Sequence, residues 1–328
     1  MLTIFKFYIN ALLTLRYNLA TKEGAIYMNN SVKQLSIIGS TASGKSDLAI
    51  KVAKKFNAYI LSIDSLSIYK EIDIVSAKPS KSDLREVEHL GIDLLDPDQY
   101  FSVDIFIKLY QEALKKCQDN NKNLIIVGGT SFYLKSLLDG LSKIPPITEE
   151  ISSYVEMKLV DLESCYEFLY KIDEPYMRKI SPNDRYRIEK ALLIYEGSKL
   201  TPSEWFSANP PQPIIEELSI YNIEVEREIL RERIKNRTAK MLDLGLIDEV
   251  CTLEQRYGRL PHSMNSIGIV ETLEYLDGKV TINEMLENIQ THTSQLAKRQ
   301  QTFNRTQFLN TINAPLEELE DLLYRAIS

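Results

Sequence analysis

The 328-residue sequence is poor in the residues that build disulfide frameworks and zinc sites. Its three cysteines, Cys117, Cys165 and Cys251, are far apart and form no CxxC pair. A disulfide-stabilised secreted domain and a cysteine-rich zinc module are therefore not expected, and a reducing, cytoplasmic compartment is. The three histidines are equally scattered, so a histidine-based metal centre or catalytic triad is not expected either.

Basic residues do not dominate the charge. Lys and Arg number 39 against 46 Asp and Glu, which gives a net charge of −7. No global positive field attracts nucleic acid, so any RNA contact must use local patches. Long apolar runs are also lacking. The uncharged stretch at residues 7–15 is about half the roughly 20 residues that a membrane-spanning helix needs, so no membrane partner is expected.

Short apolar runs alternate with helical patterns from residue 34 onward. Strands are predicted at residues 34–38, 59–63, 124–127 and 219–225, and helices at 46–56, 103–116, 226–257 and 281–305. This alternation predicts an α/β fold with a parallel sheet flanked by helices.

The character of the sequence changes at residues 141–213. Helical periodicity runs through residues 150–170 and 183–195, with proline-bearing breaks at residues 145–146, 202 and 210–211, which predicts a helical insertion domain. The core is then expected to comprise residues 31–140 and 214–328. Residues 1–30 are expected to form an N-terminal extension outside the fold.

Glycine is scarce, with 12 residues, so a glycine cluster is informative. Residues 39–46 read GSTASGKS, which fits GxxxxGK[ST] between an apolar run and an amphipathic helix. Backbone N–H groups in such a loop face a phosphate, Lys45 adds charge, and the Ser46 hydroxyl is a ligand for Mg²⁺. The predicted phosphate-binding residues are Gly39, Ser40, Thr41, Ala42, Ser43, Gly44, Lys45 and Ser46. ATP, a nucleotide kinase substrate and a prenyl diphosphate all fit this loop.

An acid follows the second predicted strand. Asp64 should lie at the carboxyl edge of the sheet, beside the phosphate loop, where α/β proteins bind ligands. Three roles compete for it: a magnesium ligand, a general base, and a helix cap. The segment at residues 73–79 carries a further acid and base, and taken alone it has the character of a solvated loop.

A local basic cluster lies in the insertion. Residues 177–190 contain five basic and two acidic side chains in an otherwise acidic protein. Such a cluster suits RNA phosphates, and it equally suits a solvated helix face. Lys298, Arg299 and Arg305 form a second basic stripe with the same ambiguity.

Seven segments, in order along the chain, resemble the bacterial tRNA dimethylallyltransferases, also called tRNA isopentenyltransferases. They are GSTASGKS (39–46), DSLSIYKEIDIVSAKPS (64–80), LDPDQYFSVDIF (95–106), IIVGGTSFYLKSLLDGL (125–141), SPNDRYRIEKAL (181–192), RTAKMLDLGLIDEV (237–250) and LAKRQQTFNR (296–305). The sequence departs from the pattern of many relatives at Ser67, Val75 and Ser152, where they have Gln, Gly and Arg.

The resemblance implies a P-loop NTPase-like fold, Mg²⁺ as cofactor, and a monomer. It implies transfer of a dimethylallyl group from dimethylallyl diphosphate to N6 of the adenosine 3′ of the tRNA anticodon, position 37. Asp64 would be the base, while Thr41 and Arg237 would act on the diphosphate. The implied tRNA contacts are Asp64, Ser65, Leu66, Ser67, Thr130, Tyr186, Arg187, Ile188, Glu189 and Lys190. The target base is expected to flip out of the anticodon loop to reach Asp64.

Three other functions compete with this one. A P-loop small-molecule kinase would explain the first 70 residues equally well, but not the GGTSFYLK segment or the basic cluster. A prenyltransferase that uses free AMP or ADP is a closer rival, against which the basic cluster and the long C-terminal helices favour tRNA. A non-catalytic RNA-binding protein would have no need of Asp64.

Overall fold

The computed structural model describes residues 32–327, which form a six-stranded sheet covered by helices. The strands are β1 (Gln34–Gly39), β2 (Ala58–Ser62), β3 (His89–Leu90), β4 (Asn123–Gly128), β5 (Ser219–Ile223) and β6 (Thr311–Ala314). They are ordered β3-β2-β4-β1-β5-β6, and every neighbouring pair is parallel. The predicted parallel α/β fold is confirmed. The expectation for residues 1–30 lies outside the described residues.

The central strands are buried on both faces. β1 and β4 read QLSIIG and NLIIVG, the nearly continuous apolar runs typical of parallel strands covered by helices on each side. Ile38 of β1 is in register with Gly128 of β4 and with Asn222 of β5. The strand order reverses at β1, so its carboxyl end is the point where such sheets bind ligands.

Fourteen α-helices are present in residues 32–327. They are α1 (Lys45–Phe56), α2 (Lys81–Glu86), α3 (Val103–Asp119), α4 (Ser131–Asp139), α5 (Glu149–Lys158), α6 (Leu162–Ile172), α7 (Glu174–Met177), α8 (Arg185–Ser198), α9 (Pro202–Ala208), α10 (Arg227–Asp243), α11 (Leu246–Tyr257), α12 (Ile269–Leu276), α13 (Ile282–Gln307) and α14 (Leu316–Ile327). Side chains of α1 and α14 pack on one face of the sheet, and those of α3 and α4 pack on the other. None of the helices in this part of the chain combines the length and apolar character needed to cross a membrane.

Helices α5–α9 have a hydrophobic core of their own. Its centre includes Leu169, Met177, Ile188 and Leu192, all fully buried. These helices lie within residues 141–213, for which we keep the name insertion domain.

Two predicted helices are each divided in the structure. The pattern at residues 150–170 is split between α5 and α6, because Asp161 Oδ1 accepts from Ser164 N at 3.1 Å and starts a new helix. The pattern at residues 226–257 is split between α10 and α11 at Gly245, whose φ of +98° is incompatible with a continuous helix. Two strands, β3 and β6, were not predicted, and neither were the helices α2, α4, α7, α9, α12 and α14.

Candidate active site

The phosphate loop connects the carboxyl end of β1 to α1. Gly44 precedes the helix in the left-handed conformation (φ +93°), and Ala42 also has a positive φ, of +60°. Within residues 32–327 no side chain caps the first turn of α1. The N–H groups of that turn can therefore bind an anion, which the positive end of the helix dipole also favours.

Two basic side chains converge on this loop. Lys45 Nζ donates a hydrogen bond to the Ser40 carbonyl at 3.3 Å. Burial lowers the pKa of Lys45 to about 8; nearby Asp64 opposes this shift, and Arg237 adds to it. Burial also lowers the pKa of Arg237, again against the influence of Asp64. Both cations line the same cavity, and burial makes their charged forms costly unless an anion lies nearby.

Arg237 on α10 reaches the loop through Thr41. Its guanidinium donates to Thr41 Oγ1 at 3.3 Å and to the Ser76 carbonyl at 3.4 Å. The structure thus brings together Thr41, Lys45 and Arg237, three residues that the sequence analysis assigned to the diphosphate. The planar guanidinium suits a phosphate because it offers several donors in a fixed arrangement.

Asp64 is held at the end of β2 by hydrogen bonds to the backbone that follows it. Its Oδ1 accepts hydrogen bonds from Leu66 N at 2.9 Å and Ser67 N at 3.2 Å, which stabilises the turn that follows β2. The interpretation of Asp64 as a helix cap is wrong, because no helix follows it directly and the next one, α2, begins only at Lys81. No hydrogen bond from residues 32–327 reaches Oδ2, so this oxygen remains able to accept a proton.

Gly128 allows β4 to approach the chain as it turns into Asp64. A Cβ at Gly128 would lie 2.6 Å from Ile63 Cγ1 and 3.1 Å from Asp64 N, so only glycine fits without a shift. Beyond this contact, Thr130 Oγ1 lies 3.5 Å from Ser65 Oγ. Two of the predicted tRNA contacts therefore meet beside Asp64.

Two cavities join at Asp64. Both are lined by Thr41, Lys45, Asp64, Ser76 and Arg237. The smaller one extends to Ser46 and Ser62 on the side of the phosphate loop. The larger, of about 280 Å³, extends to Ser65 and Thr130 and to residues of α13. A carboxylate between two openings can meet a nucleophile from one side and a diphosphate ester from the other.

The predicted tRNA contacts of the insertion domain lie on α8, and they do not line either cavity. Tyr186 is 65% exposed, and the Lys190 ammonium lies 5.4 Å from its ring centre. Arg187 forms an ion pair with Asp184. Ile188 is fully buried in the insertion core, so its side chain does not reach the surface of this helix. Ile188 is a core position, whereas the residues on either side of it in α8 face outward.

The segment at residues 73–79 is not a solvated loop. The Lys78 side chain is only 5% exposed, and its Nζ donates to the Tyr69 carbonyl and to Asp73 Oδ1, each at 2.6 Å. The two oxygens of Glu249, on α11, accept from the N–H groups of residues 73, 74 and 75 at 2.7–3.0 Å. These contacts fix the Ser76 carbonyl that holds Arg237.

Two residues that matter here were not singled out from the sequence. Glu249 lies in the RTAKMLDLGLIDEV segment and Gln300 in LAKRQQTFNR. Both segments belong to the resemblance, but it assigned no role to either residue. Gln300 reaches the phosphate loop, where its Oε1 accepts from Thr41 N at 2.8 Å. Of the positions that depart from the pattern of relatives, Ser67 and Val75 are buried and Ser152 is exposed on α5.

The predicted magnesium ligand, Ser46, is exposed at the start of α1. No group of three or more His, Cys, Asp or Glu side chains within residues 32–327 could hold a metal by itself. Ser46 and Asp64 line the same cavity. This donor set fits Mg²⁺ only together with the oxygens of a bound diphosphate and water, which is the way Mg²⁺ is commonly held beside phosphates.

Comparisons with known proteins agree with this geometry. The family model described as IPP transferase matches residues 67–307. A tRNA dimethylallyltransferase of Sulfurimonas denitrificans is 68% identical over 295 residues, which is 90% of this chain and 99% of the relative. One from a Sulfurovum species is 52% identical over 297 residues, with 90% and 99% of the two chains covered.

Solved structures give the same result. A tRNA isopentenylpyrophosphate transferase from Bacillus halodurans is 28% identical, with a TM-score of 0.66 over 90% of this chain and 95% of the other. A eukaryotic dimethylallyltransferase described as acting on tRNA is 26% identical, with a TM-score of 0.78 over 90% of this chain and 78% of its own. With a phosphate loop, an acid at the sheet edge and relatives of this identity over almost its whole length, the chain belongs to the IPP transferase family of tRNA dimethylallyltransferases.

Proposed function

We propose that the protein transfers a dimethylallyl group from dimethylallyl diphosphate to N6 of the adenosine directly 3′ of the tRNA anticodon, and releases diphosphate. The observation that carries this proposal is the position of Asp64. It lines two cavities that share Thr41, Lys45 and Arg237, of which one extends along the phosphate loop to Ser46 and the other extends to Ser65 and Thr130.

The phosphate loop and its two cations would stabilise the leaving group. As the bond between the allylic C1 and the diphosphate oxygen breaks, negative charge develops on that oxygen. The N–H groups at the start of α1, the Lys45 ammonium and the Arg237 guanidinium all face this charge. Fixed donors in a partly buried site stabilise such charge more than water does. Mg²⁺, held by Ser46 and the diphosphate itself, would add further charge stabilisation.

The nucleophile requires the carboxylate. The N6 amine of adenine is weakly nucleophilic, and its attack on C1 leaves an extra proton on N6. The Oδ2 atom of Asp64 would accept that proton while Oδ1 keeps its two backbone hydrogen bonds. The carbon–nitrogen bond forms, the carbon–oxygen bond breaks, and the proton moves to Asp64.

Two features favour tRNA as the acceptor: the lining of the larger cavity and the exposed surface of the insertion domain. The adenine of a stacked anticodon loop reaches Asp64 only if it is flipped out, and Ser65 and Thr130 line the opening through which it would enter. On the insertion domain, the exposed Tyr186 and the neighbouring Lys190 offer an aromatic face and a cation, the combination that suits unstacked bases and phosphates. A free nucleotide would need neither.

One experiment separates the candidate functions. The purified protein is incubated with Mg²⁺ and dimethylallyl diphosphate and given unmodified tRNA in one reaction and AMP in another, and the products are analysed by mass spectrometry. We expect dimethylallyladenosine in the digested tRNA and almost none on AMP. Prenylated AMP without prenylated tRNA would favour the free-nucleotide enzyme. A third reaction, with ATP, tests the kinase; turnover of ATP alone would overturn the proposal.

A further inference from the structure

A glutamine on the last long helix contacts the phosphate loop across 259 positions of sequence. Gln300, on α13, accepts a hydrogen bond from Thr41 N through its Oε1 at 2.8 Å. Its side chain also lines the larger cavity beside Lys45 and Asp64. The contact is therefore part of the wall around the reacting groups, although Gln300 has no assigned role in the reaction.

The orientation of the Gln300 amide follows from its partner. A backbone N–H can only donate, so the atom that faces Thr41 N must be the amide oxygen. The amide nitrogen then lies over Gly129, where a Cβ would be only 2.5 Å from Nε2. Gly129 does not have a positive φ, so its need for glycine comes from the space that Gln300 occupies and not from its backbone conformation.

Thr41 is held at both of its polar ends. Its N–H is bound by Gln300 and its hydroxyl by the Arg237 guanidinium at 3.3 Å. Removal of the Gln300 acceptor would leave a partly buried N–H without a partner in this wall, and the loop would have to shift to satisfy it. Thr41 and Arg237 would then lose their mutual orientation toward the diphosphate.

We propose that Gln300 is a positioning residue for the diphosphate half of the reaction. It fixes Thr41, and through Thr41 the direction of Arg237, while Gly129 provides the space for its amide. This inference rests on the proposed function. It differs from a purely structural role, because a tie between α13 and the sheet would affect stability and tRNA binding as much as it affects the diphosphate.

The first test replaces the glutamine by a side chain of similar size without an acceptor. In Gln300→Leu we expect kcat/KM for dimethylallyl diphosphate to fall about 10- to 100-fold, since leaving a buried donor unpaired and displacing a reacting group have effects of this order. The dissociation constant for tRNA should stay close to that of the wild type, and the melting temperature should fall only by the few degrees that one unpaired backbone N–H costs. The matched control is Gln295→Leu, an exposed glutamine on the same helix, which should change none of these.

A double-mutant cycle keeps the test decisive even if Gln300→Leu folds poorly. Gly129→Ala should push the Gln300 amide aside and lower kcat/KM for the diphosphate about 10-fold. In a Gln300→Ala background, where the obstructing amide is gone, Gly129→Ala should have almost no further effect. Additive losses would overturn the proposal, because they would mean that the two residues act independently.

The remaining outcomes separate this inference from the proposed function. If the wild type prenylates tRNA and Gln300→Leu does so with unchanged constants, the positioning role is wrong and the function stands. An equal loss of tRNA affinity and diphosphate affinity would indicate a structural tie, and it too would overturn the inference. If the wild type and Gln295→Leu both fail to prenylate tRNA, the proposed function fails and the inference fails with it.

Discussion

We propose two purposes for Asp64, one structural and one catalytic, and one pair of substitutions separates them. Its Oδ1 holds the turn after β2 through two backbone hydrogen bonds, and its Oδ2 is proposed to accept the N6 proton. Asp64→Asn keeps an oxygen for the turn but has no basic carboxylate. Asp64→Ala removes both the oxygen and the carboxylate.

The magnitudes of the two effects differ enough to be measured apart. Loss of a general base lowers kcat by about 100- to 10,000-fold, and we expect both variants to show this. Each backbone hydrogen bond contributes about 0.5–1.5 kcal/mol, so the alanine variant should lose about 1–3 kcal/mol of stability, with little or no loss in the asparagine variant. For a protein of this size, each kcal/mol lowers the melting temperature by roughly 1.5 °C.

Single-turnover prenylation and thermal melting measure the two quantities on the same samples. We predict that both variants still bind tRNA, that both are nearly inactive, and that only the alanine variant melts early. An asparagine variant that kept more than about a tenth of the wild-type rate would be incompatible with general-base catalysis at this position.

Three further predictions concern other parts of the molecule. Arg187→Gln should weaken tRNA binding and reduce the slope of log Kd against log salt concentration by about 0.7–0.9, whereas an unchanged slope would mean that this helix face is only solvated. Glu249→Gln places an amide N–H against some of the three backbone donors that the carboxylate binds, and it should lower the free energy of unfolding by about 1–3 kcal/mol in denaturant titrations. The matched variant of the preceding residue, Asp248→Asn, should leave the free energy of unfolding unchanged. Equal losses in the two variants would refute the assignment of the three backbone hydrogen bonds to Glu249. Burial raises the pKa of Cys117 to about 11, so iodoacetamide at pH 8 should label the partly exposed Cys251 first and Cys117 only on unfolding. Similar labelling rates in the folded protein would contradict this.

The parts of the candidate site that could be predicted from the sequence are those whose structure depends on local residues. A GxxxxGK[ST] segment between a strand and a helix has one common backbone form, and Asp64 directly follows a buried strand, so both were identifiable before any coordinates. Arg237 came from the resemblance alone, because nothing in the composition of α10 distinguishes it from the other arginines of that helix.

What the sequence missed depends on tertiary contacts. The link between Gln300 and Thr41 joins residues 259 positions apart, and no local pattern indicates it. Ile188 lies among charged neighbours, and its burial becomes visible only when the phase of the helix against the insertion core is known. The strand β6 has four residues, of which two are exposed, so it lacks a clear period, and the break at Gly245 interrupts a pattern that is otherwise helical on both sides.

The proposed chemistry also makes a prediction about where the product forms. Two transcripts of one tRNA, carrying either adenosine or guanosine directly 3′ of the anticodon, would be incubated with the protein, Mg²⁺ and dimethylallyl diphosphate. Released diphosphate would be quantified, and the prenyl group would be mapped by nuclease digestion and mass spectrometry. The account predicts one prenyl group per adenosine transcript, at that position, with an equal amount of diphosphate, and no reaction of the guanosine transcript. Prenylation of both transcripts at another site, or diphosphate release without prenylated RNA, would contradict it.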